Sequence, residues 1–139
     1  MSGLAGLLAG HVDPGVYTWH AAFAESEVRR TVEHAGARFG YVDGWAQQGK
    51  DEFLAAVGTA LSFPDWYGQN LDALADCLDD LTGAVVLLWD GWSTLAREDR
   101  ETFDLVLDIA AGRAREVAVP FSLLLRGAGP ELEVPALDG

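Results

Sequence analysis

The 139-residue chain is half hydrophobic and sets 22 acidic residues against nine basic ones, for a formal net charge of −13. Such a field repels nucleic acid and anionic membranes and attracts basic proteins and cations, so neither a nucleic-acid nor a membrane partner is expected. The length is one domain's worth, enough to bury roughly 68–70% of the surface that the unfolded chain exposes.

The opening MSGLAGLLAGHVDPG has the Leu and Ala of a secretion signal. It lacks a positively charged start, however, and offers only about seven apolar residues before His11. No run approaches the ~20 apolar residues of a membrane span. The first ten residues read as a short helix or a loose segment. After the turn signal Asp13-Pro14-Gly15, VYTWHAAF (16–23) has strand character. ESEVRRTVEHAG then reads as a helix that opens near Ser26 and ends at Gly36. ARFGYVDG (37–44) is a second strand closed by Asp43-Gly44.

From Asp51 to Leu61 the apolar residues Phe53, Leu54, Val57, Ala60 and Leu61 recur at spacings of three and four, the helical period. Pro64 bars its continuation. Asn70 is placed to cap a following helix whose buried face carries Leu71, Leu74, Leu78 and Leu81. AVVLLWD (84–90) is an unbroken apolar run, as in a parallel strand covered on both faces. Arg97 to about Glu116 reads as one long helix, FSLLLRG (121–127) as another buried strand, and GPELEVPALDG as a loosely ordered tail. Alternating strands and helices imply an α/β fold with a small parallel sheet of three to four strands. No linker or repeat divides the chain.

Chemistry-bearing motifs are few. His11, His20 and His34 have no helical spacing in common, and there is no phosphate-binding glycine loop, Cys/His metal spacing or Gly-x-Ser-x-Gly elbow. Cys77, the single cysteine, allows no intrachain disulfide and suits a reducing compartment. Its place between Leu74 and Leu78 marks it as a small core residue. What stands out is SFPDWYGQNLDALADCLDDL (62–81), which holds Asp65, Asp72, Asp76, Asp79 and Asp80 in a stretch, Asp51 to Thr94, with no lysine or arginine. Asp72 and Asp76 lie four apart and repel by roughly 0.2–0.5 kcal/mol on a helix. The helix dipole accounts for Asp72 in the first turn but not for the later carboxylates. A solvated acidic face, a Mg²⁺ site on the Asp72/Asp76 face of an enzyme, and a recognition surface all remain open at this level.

The run Pro64-Asp65-Trp66-Tyr67-Gly68-Gln69-Asn70-Leu71-Asp72-Ala73-Leu74-Ala75-Asp76-Cys77-Leu78 closely resembles the barstar family of intracellular inhibitors of secreted microbial ribonucleases. That pattern is an aromatic pair, Gly, a polar residue, then Asn-Leu-Asp-Ala-Leu, one residue, and Asp-Cys-Leu. The looser resemblance spans about 37–127, with residues 1–36 as an added strand–helix unit and 128–139 as a tail. It implies a cytoplasmic, non-enzymatic protein without cofactor or metal. Its expected partner is a basic ribonuclease, bound one to one, whose active site the acidic loop and helix would plug in place of RNA phosphate. Asp76 would be the phosphate mimic, Asp72 would pair with an arginine, and Gly68 with Asn70 would shape the contacting loop. Trp66 replaces the Tyr of the best-known member, and Ala75 replaces a contact Trp. Asp79 and Asp80 stand near a second contact aromatic of that member. Asp108 is the nearest acid to a further contact on the next long helix. A barstar-like module regulating another basic protein is the alternative within the same resemblance.

Overall fold

The computed structural model describes residues 3–46 and 49–138. In chain order the elements are α1 (Gly3–Leu8), β1 (Val16–Trp19), α2 (Glu25–His34), β2 (Arg38–Asp43), α3 (Lys50–Ala60), α4 (Leu71–Asp79), β3 (Val85–Asp90), α5 (Ser93–Glu98), α6 (Arg100–Ala114), β4 (Phe121–Arg126) and β5 (Ala136–Leu137). All strand pairings are parallel, and the sheet order is β2-β3-β4-β1-β5. The VYTW segment joins as expected, pairing Val16 with Leu123.

Side-chain alternation divides the strands between two cores. Val85, Leu87, Trp89, Leu123 and Leu125 face one way and pack on Phe53, Leu54, Leu74, Leu78, Phe103 and Val106 from helices α3, α4 and α6. Val86, Leu88 and Leu124 face the other way, against Leu4 and Leu7 of α1 and Val28 and Val32 of α2. Both faces being covered explains why β3 is buried along its whole length. On the first face an aromatic stack runs from Phe53 through Trp89 and Phe103 to Trp92, with centroids 4.3, 5.6 and 5.4 Å apart.

Register also sets the charges at the strand ends. Asp90 lies opposite Arg126, and the guanidinium holds its carboxylate through two bonds of 2.7 and 2.9 Å. Tyr41 donates to the same carboxylate at 2.8 Å. The remaining Arg126 nitrogen donates to the carbonyls of Ala21 and Phe23 at 3.1 and 2.7 Å. One part-buried charge pair thus fastens the turn after β1 to β3 and β4, with the geometry that such a pair needs to offset its desolvation.

Two expectations are corrected. The helix read from Arg97 to Glu116 is two helices, because Asp99 is extended (φ −147°, ψ 79°). Its carboxylate accepts from the Thr102 amide at 3.1 Å and hydroxyl at 2.7 Å. Those bonds hold its carboxyl below the usual range and start a new helix with a fresh N-cap. The tail is not loose throughout. Pro135 accepts from the Thr18 amide at 3.0 Å, Ala136 pairs with Thr18, and Leu137 is buried. The sheet therefore has five strands rather than three or four.

Candidate functional site

The acidic face is built from the loop after α3 and from α4. Pro64 accepts from the Tyr67 amide at 2.9 Å, closing a turn that points neighbouring aromatic rings in opposite directions. Tyr67 turns inward: its hydroxyl donates to the Leu54 carbonyl at 2.8 Å, and its ring meets Phe63 edge-on at 4.9 Å. The ring also lies on Gly58, where a Cβ would sit 2.7 Å from it. Burial pushes the Tyr67 phenol up to about 12, with Cys77 adding a smaller push. Trp66 turns outward and is 57% exposed. Gln69, at φ 52°, takes a left-handed turn that delivers Asn70 to the cap position, where its carbonyl oxygen accepts from the Ala73 amide at 2.8 Å.

Along α4, Leu74, Cys77 and Leu78 face the core, Leu71, Ala73 and Ala75 are half-buried, and Asp72, Asp76, Asp79 and Asp80 are exposed. Leu71 and Leu81 are less buried than their period suggests, and Cys77 shares the inner face. Burial, followed by Asp80 and Asp76, raises the Cys77 thiol, which suppresses its thiolate and suits a packing role. Among the described residues no ion pair involves a stripe carboxylate.

The C-terminal end of α4 has no basic residue in its last turn, yet Asp79 and Asp80 gather there, at the negative end of the dipole. The compensation comes from another helix. Arg113 of α6, 4% exposed, donates through Nε to the Leu78 carbonyl at 2.7 Å and through Nη2 to Val119 at 2.8 Å. Asn70 thus holds the front of the acidic helix, Arg113 its rear, and Tyr67 the loop leading into it. Neither Tyr67 nor Arg113 was singled out from sequence, because their partners lie on α3 and at the end of α4.

The stripe residues do not form a cation cage: among the described residues no three His, Cys, Asp or Glu side chains are grouped to hold a metal ion. Asp80 and Trp66 line one cavity of about 450 Å³, with Arg38 on its wall. Asp108 is exposed on α6, which packs on α4. It lines a different groove with Asp104, Glu131 and Glu133. Asp72, Asp76, Asp79 and Asp80 therefore form one continuous face along α4, flanked by Trp66, Gly68 and Asn70, while Asp108 belongs to the neighbouring helix.

Chemically, a pre-ordered row of unpaired carboxylates beside an outward indole can meet a concentrated set of cationic groups. Among solved structures, the ORC2 protein of Aeropyrum pernix, determined in ADPNP–ADP complexes, superposes with a TM-score of 0.63 at 15% sequence identity. The match covers 91% of this chain and 38% of that one, and it establishes a shared α/β fold alone. No curated protein matches the chain. The family model described as Barstar (barnase inhibitor) matches residues 37–126, which includes the loop, the acidic helix and strands β2, β3 and β4. With well over half its length matched, the chain belongs to the barstar family.

Proposed function

We propose that this protein inhibits a basic ribonuclease by inserting the loop at 64–70 and the acidic face of α4 into the enzyme's active site. Asp76, at the middle of the stripe, would take the place of an RNA phosphate. Asp72, Asp79 and Asp80 would surround it, and Trp66, Gly68, Asn70 and Ala75 would form the contacting rim. Asp108 would meet the edge of the same partner. The observation that carries this reading is the set of exposed, unpaired carboxylates on a helix clamped at both ends. Two i,i+4 repulsions, each roughly 0.2–0.5 kcal/mol, and two acids at the wrong end of a dipole, each roughly 0.3–1 kcal/mol, oppose the fold. Such an arrangement serves a partner better than it serves the folded chain. It has no scissile bond, so it can occupy a cationic pocket without being cleaved. No metal or cofactor is needed for this role, and the expected setting is the producer's cytoplasm, with one inhibitor per enzyme.

The ORC2 protein was solved with ADPNP and ADP, but a nucleotide site finds little support in this chain. A phosphate loop has the spacing G-x-x-x-x-G-K-[ST] between a strand and the next helix. Gly44, Gly49 and Lys50, between β2 and α3, keep that spacing, but Asp51 puts a carboxylate where the Mg²⁺-binding hydroxyl belongs, and the Gly44 amide already donates to the Asp90 carbonyl. At residues 20–24, between β1 and α2, there is neither glycine nor lysine, and Arg126 is committed to Asp90 and to the Ala21 and Phe23 carbonyls. The test is stoichiometric titration against basic microbial ribonucleases, including the producer's own. Activity should fall linearly to zero at equal molar amounts, with or without a chelator, and full activity in inhibitor excess against every such enzyme would overturn the proposal.

A further inference from the structure

Residues before 37 lie outside the matched family region, and they build a feature on the side of the sheet opposite the acidic helix. Between α1 and the starts of β3 and β4 is a cavity of about 330 Å³. Leu7, Leu8 and Val12 form one wall, while Val86 and the 70%-exposed Val117 contribute to the others. Among the described residues the lining includes no lysine, arginine or histidine, and its single carboxylate is Asp13.

One polar side chain from the sheet lines this space. Ser122 alternates with Leu124 onto the α1 face of β4 and is 3% exposed. Its oxygen accepts from the Gly15 amide at 3.2 Å, and its proton reaches no acceptor among the described residues. A buried hydroxyl proton without an acceptor costs free energy, so an acceptor in the cavity is favoured. The volume is about twice the ~150 Å³ apolar cavity that takes up benzene and lies at the lower end of small-molecule pockets, roughly 300–1,000 Å³.

We propose that this cavity binds a neutral, mostly apolar small molecule, a two-ring aromatic or a chain of similar volume, with one acceptor oxygen directed at Ser122. An anionic ligand is disfavoured because the lining offers no cation, Asp13 stands at the site and the whole chain carries −13.

The probe is 2-acetylnaphthalene, a neutral two-ring ketone, titrated into the full chain and followed by methyl NMR. Saturable shifts should concentrate at Leu7, Leu8, Val12, Val86 and Val117. The anionic 2-naphthoate should bind at least tenfold more weakly. Ser122→Ala should weaken the ketone about two- to tenfold, the value of one ordinary hydrogen bond. That variant also removes the acceptor of Gly15, so the wild-type shift map decides the matter independently of its folding. Absence of saturation up to the solubility limit, shifts scattered over the surface, or equal binding of the carboxylate would each overturn the proposal. The site lies across the sheet from α4, so this outcome is independent of whether any ribonuclease is inhibited.

Discussion

Replacing Asp76 by Ala separates a residue kept for a partner from one kept for the fold. The side chain is exposed and makes no ion pair among the described residues, so its loss opens no cavity and orphans no donor there. Removing it relieves the repulsions with Asp72 and Asp80, roughly 0.4–1 kcal/mol together. Ala also gains about 0.5 kcal/mol of helix propensity over Asp. The sum is about 1 kcal/mol of added stability, or a rise of about 2–5 °C in Tm for a chain of this size. Binding should move the opposite way. Truncating one member of a buried, hydrogen-bonded charge pair costs about 2–5 kcal/mol, a general range to which the barnase–barstar pair itself has contributed. That corresponds to a loss of about thirty-fold to several-thousand-fold in affinity. Calorimetric melting and inhibition titration on the one variant measure both sides. Unimpaired inhibition would refute the placement of Asp76 in the pocket, and a fall of several degrees in Tm would refute the claim that the fold bears a cost for it.

Gly58→Ala puts a Cβ about 2.7 Å from the Tyr67 ring. It should therefore destabilise by about 1–3 kcal/mol despite its better helix propensity, and weaken inhibition by displacing the loop at 64–70; melting and titration report the two effects. Arg113→Met should cost about 2 kcal/mol or more, because the Leu78 and Val119 carbonyls lose a charged donor, and hydrogen exchange should rise first at the C-terminal end of α4. Tyr67 binds its proton more tightly in the folded chain, at about 12, than at its ordinary value of 10. Its contribution is full below pH 10 and declines from pH 10 to about 12. Tyr67→Phe should flatten that part of the alkaline decline, beginning about 1 kcal/mol lower for the lost bond to Leu54, as denaturant melts across that window would show. Association with a basic ribonuclease should slow steeply as salt shortens the Debye length below about 10 Å, with dissociation changing far less; stopped-flow rates that stay flat with ionic strength would remove the steering argument.

The features legible in the sequence were those set within one element. The Asn70 cap depends on a residue three positions on, and the stripe depends on spacings of three and four along α4. The burial of β3 follows from its apolar run and that of β4 from a run interrupted before Arg126 by Ser122 alone, and Trp66 belongs to a motif that resembles one family along fifteen consecutive residues. Tertiary structure alone decided the rest. Asp90 meets Arg126 across 36 positions, and Arg113 meets Leu78 across 35. β5 finds β1 from the far end of the chain, and a cavity forms where α1 crosses the sheet. Asp99 could have continued one helix or capped another, and the packing of α5 against α6 selected the cap. Local periodicity states which face of an element is apolar. Which distant backbone or charge that face meets depends on strand order and register, and a single element does not encode either.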